Sequence, residues 1–190
     1  MRYSPTKRPF GDSRFLIAAL LILTTVGCAE PPSKQHVAVG KRLARIELVP
    51  LTGDGPSYVG DELKGKVVLL NFWGTWCSHC TRELPEIAEL YNEYEGNDEV
   101  VILAVSIGEQ SMPKLRKDTD ITLTKLRLTL PTYADLRDAT WGSYLALGME
   151  AAVPTTIILD RDGVIRAAWT GPANRRELRE TIQELLKKQG

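Results

Sequence analysis

The chain has 190 residues, of which 43% are hydrophobic and 25% are charged, and this is the composition of an ordinary globular protein. It excludes a disordered or collagen-like chain, and the length suffices for one domain with a buried core. The 24 basic and 24 acidic side chains balance and are scattered, so the sequence predicts no basic surface that would hold nucleic acid.

The start of the chain has the pattern of a secretory signal peptide. A basic stretch over residues 1–14 precedes an uncharged apolar run from Phe15 to Val26, and a small residue and Cys28 follow. The run is shorter than the roughly 18 apolar residues that a membrane-spanning helix needs, so we expect residues 1–27 to be a signal peptide that is removed. The rest of the chain is then predicted to lie outside the cytoplasm.

Cys28 stands at the end of Thr25-Val26-Gly27-Cys28, which resembles the lipobox of bacterial lipoproteins. Thr25 departs from that pattern, because Leu is usual there. The resemblance implies that Cys28 is a lipid anchor in the bacterial cell envelope, on the periplasmic or outer face of a membrane. Residues 28–41, with their prolines, then form a tether and residues 42–190 the domain. A plain signal peptide or an uncleaved anchor is the alternative.

Strands and helices alternate along the predicted domain. Two continuous apolar runs are typical of strands buried on both faces, and the helix between them has apolar residues at three- and four-residue spacing. In chain order, the predicted elements are a strand Leu43–Val49, a strand Lys66–Phe72, a helix Thr81–Tyr94, a strand Val100–Ile107, a helix from Ser111, a strand from near Leu126, a helix Asp135–Leu147, a hairpin of Thr155–Leu159 with Val164–Trp169, and a helix capped by Asn174.

This order predicts an α/β sandwich in which parallel strands are joined by right-handed crossovers and an antiparallel pair follows. Cys77 and Cys80 lie where a buried strand gives way to a helix. At a helix N-terminus the first N–H groups lack a partner within the helix and the dipole is positive, so a thiolate there is stabilised. Cys77 is therefore expected to attack, and Cys80 to resolve. A structural disulfide would close too short a loop to constrain the unfolded chain much.

Three features carry a resemblance to a known family: the motif WCSHC after a VVLLNFW strand, Glu83 and Pro85 just beyond it, and Val153-Pro154-Thr155 before a strand. Over about residues 42–188 the chain resembles the thioredoxin superfamily, most closely its TlpA/ResA-like branch of membrane-anchored thiol-disulfide oxidoreductases. The resemblance implies a three-layer sandwich with a central mixed sheet and helices on both faces. It also implies that Pro154 is a cis-proline facing the disulfide, and that the backbone of Val153 pairs with the substrate.

The resemblance implies further roles around the two cysteines. Glu83 matches a glutamate of the TlpA/ResA-like branch and is expected to act with the cysteines as a catalytic group, taking the proton that Cys80 must lose. A solvated surface glutamate is the alternative. Ser78 and His79 are expected to tune the redox potential, and Trp76 to belong to an apolar rim that binds substrate.

The direction of electron flow is left open by two residues. Glu83 indicates a reductant, as in the supply of electrons for cytochrome c maturation, whereas His79 replaces the usual Pro and matches the strong oxidant DsbA. We expect net reduction of protein disulfides, with protein dithiols and disulfides as substrates and a DsbD/CcdA-like membrane protein as electron donor. Cys28 would hold the chain on the lipid bilayer, and no metal or other cofactor is predicted.

Two other classes share parts of this pattern. A peroxiredoxin-like peroxidase needs a Thr and a Pro ahead of its reactive Cys, and here Thr75 is present without such a Pro. A metal carrier would need three or four converging ligands, but His79 lies between the two cysteines and His36 lies in the expected tether.

Overall fold

A mixed sheet of seven strands forms the centre of the structure, a computed structural model that describes residues 32–108 and 111–188. The strands are β1 (Glu47–Thr52), β2 (Tyr58–Val59), β3 (Val67–Trp73), β4 (Val100–Ser106), β5 (Thr132–Asp135), β6 (Thr155–Leu159) and β7 (Ile165–Thr170). Their order across the sheet is β2-β1-β5-β4-β3-β6-β7. The pairs β3–β4 and β4–β5 are parallel, whereas β6 is antiparallel to β3 and β7 is antiparallel to β6.

Helices cover both faces of this sheet. They are α1 (Ser78–Tyr94), α2 (Met112–Leu126), α3 (Ala139–Leu145) and α4 (Arg175–Lys187). Helices α1 and α4 contribute Leu84 and Leu178 to one core, and α3 contributes Trp141 and Tyr144 to the other, against the ring of Phe72. The three-layer α/β sandwich predicted from the sequence is confirmed.

Strand β3 joins the two cores, because all seven of its residues are buried. Successive side chains of a strand point to opposite faces. Val68, Leu70 and Phe72 belong to the core under α3, whereas Leu69 and Trp73 belong to the core under α1 and α4. This alternation places Asn71, the polar residue of the strand, on the α1 side, at the end of the sheet where the two cysteines lie.

Two predicted elements differ from the structure. The strand predicted from near Leu126 is wrong: α2 continues to that residue and ends at Arg127 in the left-handed conformation, and β5 begins at Thr132. Leu115 and Leu123 are two turns apart and both buried, so this helical stripe outweighs the local alternation of Thr and Leu. The helix predicted over 135–147 is shorter, since a 3-10 turn with two left-handed residues precedes α3.

The segment expected to be a tether is described from Pro32 onward, and this part lies against the domain. Ala38 is completely buried, the amide of Gly40 donates to the carbonyl of Ile165, and Lys34 forms an ion pair with Glu184. The packed unit thus begins before residue 42, because the chain runs along β7 and α4 after leaving its prolines.

The predicted signal peptide, residues 1–27, and the predicted anchor Cys28 lie outside the described residues. In the part of the chain that the structure describes, no helix combines the length and the apolar character needed to cross a membrane. Strand β6 has the predicted ends, Thr155–Leu159. The other predicted strands are observed with shifted ends: the first spans Glu47–Thr52, and the hairpin partner of β6 spans Ile165–Thr170.

Candidate active site

The two cysteines form a disulfide at the N-terminus of α1. Their Sγ atoms are bonded and their Cα atoms lie 5.2 Å apart. Cys77 is the N-cap residue, and its Sγ accepts a hydrogen bond from the backbone N–H of Cys80 at 3.1 Å. One of the free amides of the first helical turn is thus directed at the sulfur of Cys77, which is the arrangement that favours a thiolate there once the disulfide is reduced.

The two sulfurs differ in their access to solvent. Cys77 is half-buried, whereas Cys80 is 0% exposed and belongs to the core under α1. Ser78 and His79, which lie between them in the sequence, are both exposed. A partner molecule can therefore reach the sulfur of Cys77 and not that of Cys80.

The loop before β6 faces Cys77. The peptide bond between Val153 and Pro154 is cis, as the resemblance implies. The carbonyl oxygen of Val153 lies 3.6 Å from the Sγ of Cys77. Within residues 32–108 and 111–188, no group accepts a hydrogen bond from the amide N–H of Val153. The N–H of this residue is free to pair with another chain beside the disulfide.

The cis-proline loop is held from behind by the loop between β7 and α4. The amide of Gly171 donates to the carbonyl of Pro154 at 2.8 Å, and the hydroxyl of Thr155 donates to the carbonyl of Ala152 at 2.7 Å. Pro154 and Thr155 are buried. These bonds fix the loop against the segment after β7, and Val153 lies opposite Cys77.

Glu83 lies one helical turn beyond Cys80 and is only 5% exposed. The alternative interpretation of Glu83 as a solvated surface residue is therefore wrong. Its Oε1 accepts from the backbone N–H of Ala173 at 2.7 Å, and its Oε2 accepts from Nδ2 of Asn71 at 3.1 Å. Burial raises the pKa of Glu83; the two donors oppose this rise, and the nearby carboxylate of Glu86 adds to it. A buried carboxyl with a raised pKa can take and release a proton.

Trp76 forms the exposed rim of the motif. It is 59% exposed, more than any other Phe, Tyr or Trp side chain in residues 32–108 and 111–188. Its ring lies over Gly74, since a Cβ atom at that position would stand 2.6 Å from the nearest ring carbon. Trp73, in contrast, is fully buried. The glycine leaves room for the indole over its backbone, and the apolar surface of the ring is open to a partner.

Sequence reasoning assigned no part to the two groups that donate to Glu83, Asn71 and Ala173, or to Thr156, which bonds to Asn71. Ala173 is 90 residues away in the chain, and Thr156, whose hydroxyl accepts from Asn71 at 2.9 Å, is paired with Asn71 across β3 and β6. The signal in the sequence was the isolated Asn in an apolar strand run, because a buried polar side chain needs a partner.

The two histidines that a metal carrier could use lie on different parts of the fold. His36 lies against the hydroxyl of Thr170 at 3.3 Å, on the segment before β1, and His79 is exposed on α1. Among the described residues, no three His, Cys, Asp or Glu side chains come together as metal ligands.

Comparisons with known proteins agree with this geometry. Residues 39–168 match the AhpC/TSA family. The chain is 34% identical over 152 residues to the thiol-disulfide oxidoreductase ResA of Geobacillus thermodenitrificans, and the alignment covers 80% of each chain. It is 30% identical over 173 residues to the thioredoxin-like protein YneN of Bacillus subtilis, covering 87% of this chain and 95% of that one. The crystal structure of StoA from Bacillus subtilis superposes with a TM-score of 0.58 at 25% identity, covering 75% of this chain and 97% of that one.

Proposed function

The chain belongs to the AhpC/TSA family and is a thiol-disulfide oxidoreductase, and from this premise we propose that it reduces protein disulfides outside the cytoplasm through Cys77 and Cys80. The observation that carries the proposal is the unequal burial of the two sulfurs. Cys77 is reachable and accepts an amide hydrogen bond, whereas Cys80 is fully buried, one helical turn from the buried carboxyl of Glu83.

The first step is an attack by the thiolate of Cys77 on one sulfur of a substrate disulfide. A bond forms between Cys77 and that sulfur, the substrate disulfide breaks, and the other substrate sulfur leaves as a thiolate that takes a proton from solvent. The amide of Cys80, 3.1 Å from the Sγ of Cys77 in the oxidised state, stabilises the attacking thiolate. Because the thiolate is the reactive form, this amide is part of the catalytic geometry.

The second step releases the substrate. The thiol of Cys80 transfers its proton to the carboxylate of Glu83, and its sulfur attacks the sulfur of Cys77. The mixed disulfide breaks, and the substrate sulfur leaves as a thiolate that takes a proton from solvent. Cys77 and Cys80 are then joined as in the structure, and Glu83 releases its proton before the next turnover. Two electrons have then passed to the substrate, and the pair must be reduced again before the next turnover.

Substrate binding falls to the surface on either side of Cys77. We assign the free backbone of Val153 to pairing with an extended substrate segment, with the cis bond to Pro154 holding it opposite the sulfur. The exposed indole of Trp76 provides an apolar contact on the other side. Backbone pairing and an apolar rim suit protein substrates of varied sequence.

The cellular setting is proposed from the sequence. A removed signal peptide over residues 1–27 and a lipid on Cys28 would tether the chain to the bacterial envelope. A DsbD/CcdA-like membrane protein would return two electrons to the pair, and cytochrome c maturation is the process that would use them. Mass spectrometry of the chain from the membrane fraction tests the anchor: a diacylated Cys28 at the N-terminus is expected, and an unmodified mature chain would refute it.

The direction of transfer is tested by the reduction potential of the Cys77–Cys80 pair. A glutathione or dithiothreitol titration of the full chain should give a value near that of thioredoxin, about −270 mV, and insulin should be reduced. His79, exposed beside the disulfide, is the feature that favours an oxidant. A value near that of DsbA, about −120 mV, would reverse the proposed direction while leaving the enzyme class unchanged.

The substrate is identified with a Cys80→Ser variant, which can form the mixed disulfide but cannot resolve it. Expressed at native level, this variant should accumulate a covalent complex that dithiothreitol dissolves, and a Cys77→Ser variant is the matched control that should accumulate none. Partners trapped equally by both variants would contradict the assignment of Cys77 as the attacking residue.

A further inference from the structure

A small polar cluster lies in the apolar layer between the sheet and helices α1 and α4. It consists of the side chains of Asn71, Glu83 and Thr156 and the backbone amide of Ala173, contributed by β3, α1, β6 and the loop between β7 and α4. All four residues are buried, with exposed fractions of 1% for Asn71, 5% for Glu83, 0% for Thr156 and 7% for Ala173. Burying polar groups is costly unless they are paired, so the way in which these groups pair shows what the cluster stabilises.

The side-chain amide of Asn71 directs both of its hydrogens at oxygen atoms. Nδ2 donates to Oε2 of Glu83 at 3.1 Å and to the hydroxyl of Thr156 at 2.9 Å. Its Oδ1 is buried and has no hydrogen-bond partner among the described residues. The reverse orientation would set the amide oxygen against the carboxyl oxygen of Glu83. The amide is thus oriented as a donor to Glu83 at the expense of its own acceptor.

We propose that Asn71 is a positioning residue that sets the pH at which Glu83 exchanges its proton, and that Thr156 holds the amide of Asn71 in its donating orientation. The inference rests on the proposed proton transfer from Cys80 to Glu83, and it concerns the proton affinity of that carboxyl. Each oxygen of Glu83 has one N–H donor, Asn71 on Oε2 and Ala173 on Oε1. A donor favours the carboxylate over the neutral acid, so both counteract the effect of burial.

The other charged and titratable groups near Glu83 can be named element by element. On α1 these are Glu86 and, in the reduced protein, the thiol of Cys80. The carboxylate of Glu86 accepts from the backbone amide of Arg175 at 3.1 Å, at the start of α4. Strands β3 and β6 present the uncharged Asn71 and Thr156. Glu86 raises the pKa of Glu83, which leaves the two N–H donors as the groups that lower it.

The test measures the titration of Glu83 itself, by carbon-13 NMR of the side-chain carboxyls in the full chain in detergent. The resonance of Glu83 is assigned by its loss in Glu83→Gln. Asn71→Leu removes the donor with little change in volume, and the midpoint of Glu83 should rise by about one pH unit, as expected for loss of a hydrogen bond to a charged group. An unchanged midpoint in this variant would overturn the proposal.

Thr156→Val is the second variant, in case Asn71→Leu does not fold. It leaves Asn71 in place but removes the hydroxyl that orients it, so a smaller rise of the same midpoint is expected, and no rise would count against Thr156. Thr132→Val is the matched control, because it also removes a buried strand hydroxyl, one bonded to Thr52 at 2.6 Å. It should leave the titration of Glu83 unchanged, and a rise equal to that in Thr156→Val would assign the effect to general loosening and refute the proposal.

The same readout separates this inference from the proposed function. If Asn71→Leu shifts the Glu83 midpoint while Glu83→Gln leaves the pH profile of substrate release unchanged, Asn71 acts as proposed and the proton transfer to Glu83 is refuted. If both hold, the pH profile of release in Asn71→Leu should shift together with the midpoint. In the Glu83→Gln background Asn71→Leu should then have no further effect on that profile, and an equal shift there would overturn the coupling.

Discussion

The two sulfur atoms of the redox pair are separated by two residues in the chain, yet their surroundings are opposite. Cys77 lies at the surface between the exposed indole of Trp76 and the free backbone of Val153, whereas Cys80 is completely buried on the side of Glu83. One turn of helix produces this difference, because α1 enters the core directly after its N-cap. The surface half, Cys77 with Trp76 and Val153, suits attack on a large partner. The buried half, Cys80 with Glu83, suits a proton transfer from which solvent is excluded.

The largest expected effect comes from exchanging the two sulfurs for oxygen one at a time. Cys77→Ser should lower the rate of mixed-disulfide formation by about a thousandfold or more, because the nucleophile is lost. Cys80→Ser should form the mixed disulfide at nearly the normal rate and then stop after one event. Stopped-flow reaction with a chromogenic disulfide measures both. An equal loss of the rate of mixed-disulfide formation in both variants would contradict the separate roles of Cys77 and Cys80.

The buried half is tested by Glu83→Gln. Near neutral pH this variant should slow the release of reduced substrate several-fold, because Gln cannot take the proton of Cys80, and it should leave the attack by Cys77 unchanged. Rapid-quench measurement of the mixed disulfide separates the two steps. Slower attack with normal release would show that Glu83 serves the surface half instead.

Glu83 should also make stability depend on pH in a defined direction. Burial raises the pKa of Glu83 above its ordinary value of 4.5, so the folded state holds the proton more tightly than the unfolded chain. This contribution to stability is fully present at pH values below 4.5, and it is lost as the pH rises through the pKa of Glu83 in the folded state. The free energy of unfolding of the oxidised wild type, relative to Glu83→Gln, should therefore increase on acidification. Urea unfolding of both proteins at several pH values measures it, and a difference independent of pH would contradict the raised pKa. Asp135, whose pKa is also raised by burial, is common to both proteins and cancels.

The surface half is sharpened by Gly74→Ala. The added Cβ would meet the ring of Trp76 at 2.6 Å, and since the ring is exposed it can move away from the motif. The KM for a protein substrate should rise about two- to fivefold, with kcat and the reaction with a small disulfide unchanged, as expected when an apolar contact is weakened. Trp76→Ala is the companion variant and should raise KM at least as much. Normal KM in both would remove Trp76 from the binding surface.

The smallest effect is expected away from the site, where α1 and α4 are joined by ion pairs. Arg179 Nε lies 2.8 Å from both carboxylate oxygens of Glu93. Reversing either charge should lower the thermal midpoint slightly and in a salt-dependent way, and the double exchange should restore it. Thiol exchange should be unaffected in all three variants. A change in activity would show that the position of α4, and with it the amide of Ala173, influences the buried half.

The surface half was predictable from the sequence and the buried half only in part. A Cys-x-x-Cys after a buried strand predicted the helix N-terminus, because this depends on a few neighbouring residues. The cis bond before Pro154 was implied by the family resemblance, since the Val-Pro pair alone would favour an ordinary trans proline. The surroundings of Glu83 depend on Ala173 and Thr156, which only tertiary packing brings to α1. Periodicity predicted the strands β3, β4 and β6, but it misplaced β5, where the alternation of Leu and Thr in the preceding helix imitates a strand.

The measurement that tests the account most directly is the pH dependence of alkylation of the reduced chain by iodoacetamide. Cys77, at the helix N-terminus with an amide directed at its sulfur, should react with a pKa well below the value of about 8.5 of a free cysteine, while Cys80 should react slowly at neutral pH. Peptide mapping after short reaction times separates the two sites. A titration of Cys77 at the value of free cysteine, or equal reactivity of both thiols, would contradict the account.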